Sequence, residues 1–388
     1  MLNGHSRRDV LKGGLVLAGL SVAGLPEWVM PVLAQGETLV PFTDIPDNVR
    51  WDTPPDRRML DVRTIEGVFT PKDKFATTQH YGHPDVDLAT YKLKISGLVD
   101  RPKQLTIDDL KKMGSSELVA GFECSGNRGP LQGLCGNGKW TGVSLKTVLD
   151  SCGVKASARE FVFFGADKGV EDVEWRTQKY NIEVPFGRSL NREKALSGEP
   201  FLAWALNGEP LTKHQGAPLR LLVPGWYGVA NVKWLSQIHI QEDAYMGKYQ
   251  ARWYRTVRGE MIDGEMKYME TAVTHMNLKS FVARVTKSGN ACTVTGVVLN
   301  DGTPIKSVEV KVDDGAWQAA TLDPATAKEK FGWKIFHYTW NNPAPGAHTL
   351  VSRVTDTTGK VQPTAEDLKE KKSFLEENSQ AARKVKVA

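Results

Sequence analysis

The sequence predicts an α+β body followed by an all-β sandwich, and three observations carry that expectation. From about residue 85 to 245, short strand-like runs mix irregularly with helix patterns. From about residue 278 onward the texture becomes strands spaced by Asp-Gly, Asn-Asp-Gly and Pro/Gly turns. Third, 388 residues that are 40% hydrophobic and 24% charged can bury a large core and suit two domains. The expected division is 1–34 as a leader, 35–276 as a central domain and 277–388 as a β-sandwich.

In the central part, "TYKLKISGLV" (90–99) alternates like a strand, and "TIDDLKKMG" (106–114) opens a helix with Thr106 as its cap. "LVAGF" (118–122) reads as a strand end that runs into the turn chemistry of "SGNRGP". "SLKTVLDSCGV" (144–154) is helix-like, while "FVFFGAD" and "PLRLLVPG" are short apolar runs bounded by turn residues. Downstream, "FVARV", "ACTVTGVVLNDG", "SVEVKVDDGAWQAATL", "WKIFHYTW" and "HTLVSRVTD" read as consecutive strands. The acidic-basic "EDLKEKKSFLEENSQ" (366–380) reads as a solvated surface segment.

"SRRDVLKGG" leads into "LVLAGLSVAGL" and a small-residue site near "VLAQ", the pattern of an export signal. The pair Arg7-Arg8 fits the twin-arginine variant, which predicts a periplasmic protein exported already folded. Its apolar part is shorter than the roughly 20 residues needed to span a bilayer, so no stable membrane anchor is expected. The net charge of +5 is small and its basic residues are scattered, which argues against a nucleic-acid partner and leaves an anionic small molecule open.

Four cysteines in a chain of this size form no disulfide framework. There is no C-x-x-C-H for haem attachment, so electrons from any redox chemistry must pass to a separate molecule. Cys152 and Cys292 read as core residues. Cys124 stands at the lip of a polar turn, open to three readings: structural residue, nucleophile or metal ligand. Arg128 and the free amides of the turn would favour its thiolate, whereas pairing with Cys135 would remove the thiol from play.

The motifs "FECSGNRG", "WTGVSLKTVLDSCGV" and "FLAWALNGEPLTKHQGAPLRLLVPGWYGVANVKWLSQI", followed by a β region ending in "VTDTTGKVQP", resemble the sulfite oxidase family of molybdenum enzymes. The resemblance runs from about residue 70 to the C-terminus. It implies a Mo-molybdopterin cofactor, a central domain that binds it, and an immunoglobulin-like C-terminal domain that forms the dimer contact in relatives. By the same resemblance Cys124 ligates molybdenum, His214 and Arg220 bind the pterin, and Asn231 to Lys233 contact its phosphate side. Asp167 and His80 match further cofactor contacts. Tyr254 matches a tyrosine beside the metal, and Arg128 belongs to the turn itself. His83, which forms H-x-x-H with His80, reads as a plain loop histidine.

Sulfite-oxidising relatives surround their dianion with arginines, and three of those positions here hold Thr78, Gly129 and Ala316. Arg128, Lys139, Arg252, Arg255 and Arg258 are candidates to refill the pocket. The expected function is therefore oxidation of sulfite to sulfate with an external cytochrome c as acceptor. The alternatives are a sulfane sulfur or an S- or N-oxide as substrate. A cysteine hydrolase built on Cys124, with His80 or His214 as base, and an inert secreted adhesion module are readings from other classes.

Overall fold

The computed structural model describes Leu33, residues 36–53 and residues 57–388. The export leader, apart from Leu33, lies outside the described residues. No helix among the described residues is long and apolar enough to cross a membrane.

The protein is mostly β, a correction to the α+β expectation. Four α-helices occur among the described residues, and the longest, Leu145–Cys152, has eight residues. The expected helices do form. Thr106 accepts from the Asp109 amide while the Asp109 carboxylate reaches back to Thr106, a capping box on Ile107–Met113. Leu145, Val148, Leu149 and Cys152 fall on one face of the second helix and are fully buried. Strands take the remaining share because runs such as Glu160–Trp175 and Gln178–Asn191 extend well past their apolar stretches. These two strands pair antiparallel along nearly their whole length, so their polar outer halves satisfy each other's backbone groups.

Two sheets position the cleft. One is mixed, in the order Gln178–Asn191, Glu160–Trp175, Leu235–Gln241, Leu93–Gly97, Lys103–Leu105, with Leu235–Gln241 parallel to Leu93–Gly97. The other runs Glu209–Pro210, Phe201–Leu206, Cys135–Ser144, Ser116–Glu123, with Arg220–Leu222 added on Phe201–Leu206. A large apolar core that includes Leu93, Leu149, Phe161, Leu202, Leu221 and Ile238 lies between them. Cys152 is buried in that core and Cys292 in the downstream one, as expected.

From Lys279 onward the strands join one eight-stranded antiparallel path. Thr38–Leu39 pairs with Lys279–Ser288 at one end, and Phe42 bridges Val385 at the other, so the sheet curls back on itself. Buried Ser280 and Ser352 hydrogen-bond across that interior. Residues 366–380 depart from the solvated reading. Leu375, Glu376 and Asn378 are buried, and the Glu376 amide donates to the Ser125 carbonyl at 2.6 Å. Its first residues are exposed while the stretch around Leu375 to Asn378 packs inward beside the Cys124 turn, a difference that a charge count hides.

Candidate functional site

The strand Ser116–Glu123 ends at Cys124, where the chain turns sharply before Cys135–Ser144 brings it back antiparallel. The turn is stitched by its own residues. The Cys124 amide donates to the Leu134 carbonyl and the Asn127 amide to the Cys124 carbonyl, both at 2.8 Å. The Asn127 side chain donates to the Glu123 carboxylate and the Gln132 carbonyl, and it accepts from the Leu134 amide. Lys279, from the downstream sheet, donates to the Asn127 carbonyl at 2.9 Å and pairs with Glu123 at 3.2 Å, with both side chains 1% exposed. A buried pair of this kind is costly to break from one side only.

This turn forms one wall of a cleft that opens to solvent and encloses, with that solvent, about 820 Å³. Cys124 lines it, together with Thr78, His80, Asp167, His214, Arg220, Asn231, Lys233 and Tyr254. All four cysteines are free, so the pairing of Cys124 with Cys135 is not realised. Burial pushes the Cys124 thiol up, while the Gly126 amide and the Arg57 charge pull it back. The expected thiolate is therefore not favoured by the turn alone, and a bound cation would have to complete the deprotonation. Arg128 is a second correction. It is exposed, is not among the residues that line the cleft, and sits over the Phe374 ring at 5.0 Å.

The opposite wall carries two cationic side chains, Arg220 and Lys233. Arg220 donates to the carbonyls of Gln215 and Asn231 and sits over the rings of Trp140 and Phe122 at 5.0 and 5.3 Å. Burial lowers its pKa to about 9 and leaves Nε without a protein partner. Lys233 reaches Thr77 Oγ1 at 3.1 Å and Gln79 Oε1 at 3.2 Å, and burial plus the Arg220 charge lower its pKa to about 7. Gly216 admits it: its φ is +96°, and a Cβ there would fall 2.7 Å from the Lys233 Cβ. Asp167 is 4% exposed, its pKa raised to about 6 by burial, with Oδ1 lacking a protein partner. Gly165 leaves room for it, since a Cβ at that position would meet Oδ1 at 2.2 Å. Asn231 accepts from the Val223 amide through Oδ1 and donates to the Tyr227 carbonyl through Nδ2, which braces this wall. His214 lines the mouth, its pKa lowered by burial, edge-on to His83 at 4.6 Å.

His80 and Tyr254 close the third side, sharing a hydrogen bond at 3.0 Å. His80 stacks on Tyr249 at 4.3 Å, and burial lowers its pKa to about 4, so the ring is neutral at pH 7. Burial and the nearby Cys124 sulfur raise the Tyr254 pKa, which keeps the phenol protonated. Tyr249 is fixed by Arg188, which donates to its carbonyl and to that of Val273.

Sequence reasoning missed Arg188 and Lys279, since both act through partners far away in the chain. It also misplaced the pocket's spare cations. Arg252 pairs with Glu171 at 3.3 Å, Arg258 with Glu376 at 2.9 Å and Lys139 with Glu117 at 2.9 Å, while Arg255 pairs with Glu270. None of the four lines the cleft. Among the described residues, no group of three or more His, Cys, Asp or Glu side chains is placed to hold a metal ion.

The family model of the oxidoreductase molybdopterin binding domain matches residues 80–249. Mitochondrial sulfite oxidase of Mus musculus is 26% identical over 326 residues, covering 77% of this chain and 58% of that protein. Sulfite oxidase of Arabidopsis thaliana is 25% identical over 336 residues, with 77% and 83% covered. NADH nitrate reductase of Hordeum vulgare is 29% identical over 342 residues, with 76% and 36% covered. The chain thus spans less than two thirds of the length of the mouse and barley proteins. The crystal structure of the sulfane dehydrogenase SoxCD from Paracoccus pantotrophus shares the fold, with a TM-score of 0.70, 24% identity, and 88% and 90% of the two chains covered.

Proposed function

Because the chain belongs to the sulfite oxidase family of molybdenum-dependent oxidoreductases, we propose that it oxidises sulfite to sulfate in the periplasm and passes the electrons to an external cytochrome c. The family implies a Mo-molybdopterin cofactor, and the residues of the cleft fit one. Two buried polar atoms that line it, Asp167 Oδ1 and Arg220 Nε, lack protein partners; one accepts and the other donates. A pterin with ring N–H groups and a phosphate offers the complement of both. The absence of a self-sufficient ligand cluster among the described residues agrees with a metal that brings its own sulfur ligands and takes a single protein thiolate.

When bound, the cofactor supplies two-electron oxygen-atom transfer. The chain's own residues do the remaining work. Cys124 would provide the thiolate ligand from a turn held by its own hydrogen bonds. Arg220 and Lys233 would offset the charge of the phosphate, and Asp167 would offer the pterin an acceptor. Neutral His80 holds the Tyr254 hydroxyl toward the Cys124 side of the cleft, where it can hydrogen-bond an oxyanion. The twin-arginine leader supports export after cofactor loading. The strands beyond residue 277 all join the curled sheet, which supports a downstream domain at 277–388.

The observation that carries this reading is the free Cys124 thiol sharing one cleft with buried Arg220 and half-buried Lys233. The test is elemental analysis of the purified full chain with sulfite-dependent reduction of ferricyanide or cytochrome c. One molybdenum per chain with sulfite turnover is expected, and a metal-replete protein inert to sulfite would overturn the substrate. A second reading, oxidation of a sulfane sulfur, draws on the four ion-paired cations that leave the cleft poor in arginine, and a persulfide substrate in the same assay separates the two.

A further inference from the structure

The strand Glu160–Trp175 pairs with Leu235–Gln241 only as far as Gly165, so its outer half and that of Gln178–Asn191 project as a two-stranded ribbon. Such ribbons are marginal alone. Register and alternation give the ribbon two unlike faces. Asp172, Glu174, Lys179 and Glu183 lie on one, while Glu171, Val173, Trp175, Tyr180 and Ile182 share the other. Near the body of the protein the second face is covered. A Cβ at Gly169 would meet the Tyr81 ring at 2.1 Å, and Glu171, 1% exposed, takes Lys248 at 2.8 Å and Arg252 at 3.3 Å. Farther out, Trp175, Tyr180 and Ile182 are 63%, 46% and 44% exposed. Lys248 also sits 4.2 Å over the ring of exposed Trp253, which joins that residue to the ribbon face.

We propose that this face, Val173, Trp175, Tyr180 and Ile182 with Trp253, is the docking surface for the protein that takes electrons from the cleft, and that the partner meets it with an apolar patch rimmed by carboxylates. Exposed Trp and Tyr gathered on one face are the residues that anchor interfaces. The rim supplies the charge. Lys248 and Arg252 share one buried carboxylate, and the Arg176 guanidinium stands over Trp175 at 5.4 Å, so three cations around this face meet a single acid. The other ribbon acids, Asp172, Glu174 and Glu183, issue from the opposite face. An electron acceptor is assigned because of what lies beneath. His80 lines the cleft and stacks on buried Tyr249 at 4.3 Å, and Tyr249 lies edge-on to Trp253 at 6.1 Å. Three packed rings thus join the cleft to the docking face and give a tunnelling electron a path through protein. Each encounter moves one electron: the cleft is oxidised by one, the acceptor is reduced by one, and two encounters match one two-electron substrate oxidation. This inference rests on the redox reading of the cleft and deepens it by naming the partner's surface chemistry.

The test uses the full-length, molybdenum-replete protein with an acidic and a basic c-type cytochrome as probes. Their dissociation constants are measured by calorimetry at low and high salt, beside turnover with ferricyanide, which needs no docking face. Wild type should bind the acidic cytochrome more tightly, and salt should weaken that complex. Trp175→Ser combined with Ile182→Ser should raise its dissociation constant about 10- to 100-fold, with ferricyanide turnover and molybdenum content unchanged. Arg176→Glu should raise it up to about tenfold and flatten the salt dependence. Tighter binding of the basic cytochrome, binding of neither, or a double variant that binds the acidic one like wild type would overturn the docking face, while ferricyanide turnover would leave the redox reading standing. A wild-type dimer in sedimentation that the double variant splits would overturn it too and give the face to a second copy. Ribbon-dependent binding of the acidic cytochrome by a protein that turns over neither sulfite nor a persulfide with ferricyanide would uphold the face and end the redox reading.

Discussion

The two facing walls of the cleft are built in opposite ways. The Cys124 turn is closed on itself: Asn127, Glu123, Lys279 and the backbone satisfy one another in a short-range network. The Arg220–Lys233–Asp167 wall is open. It holds three ionisable groups away from water at pKa values of about 9, 7 and 6, each displaced by burial in the direction that disfavours charge. One wall fixes a single sulfur in place without help. The other is held at a cost to the empty protein and completed by what binds. On the proposed function, the first wall would position the metal and the second would recognise the cofactor.

The strongest way to break the comparison is to open the closed wall. Lys279→Met strands the Glu123 carboxylate in the interior, and unfolding in urea should show a loss of about 3–5 kcal/mol. Adding Glu123→Leu should return much of it. If Lys279→Met unfolds like wild type, the turn is not held as described. Next in size is the open wall's anchor. Arg220→Ala should lower bound pterin about 10- to 100-fold, read from the fluorescence of the released, oxidised pterin, with the loss only partly repaired by Arg220→Lys.

Asp167 sharpens the contrast further, because its effect should have opposite signs in loaded and empty protein. Its folded pKa of about 6 lies above the ordinary carboxylate value, so folding takes up a proton between about pH 4 and 6 and stability falls as pH rises through that window. At pH 7 the penalty is on the order of 2–3 kcal/mol, and Asp167→Asn should stabilise cofactor-free protein by up to that amount while lowering pterin retention. Equal destabilisation of both forms would refute an open wall. The smallest effect concerns pH alone. Lys233, with a pKa of about 7, is charged below that value and neutral above it, so phosphate-side affinity should weaken up to tenfold per unit as pH rises above 7. Lys233→Met should flatten that slope in a pterin-binding titration.

How much of this could be read in the sequence follows the range of each interaction. The capped helix at Thr106, the amphipathic helix at 145–152 and the strand-lip position of Cys124 are all set within about ten residues, and each was legible. His80, Asp167, His214, Arg220, Asn231, Lys233 and Tyr254 came from the resemblance, and the fold brings all of them to one cleft with Cys124. Arg128 did not follow, since its nearness in sequence to Cys124 says nothing of which side of a tight turn it leaves. The polar halves of strands 160–175 and 178–191 were missed because they are stabilised by pairing with each other and carry no apolar alternation. Lys279 lies 156 residues from Glu123, and the pairs that Glu171 makes with Lys248 and Arg252 are likewise tertiary facts.

The central claim is that one protein sulfur, from Cys124, completes the metal's ligand set. X-ray absorption at the molybdenum edge of loaded wild type and Cys124→Ser measures it directly. The account predicts one fewer sulfur neighbour in the variant, with the pterin still bound and the turn still folded. An unchanged sulfur count would contradict it.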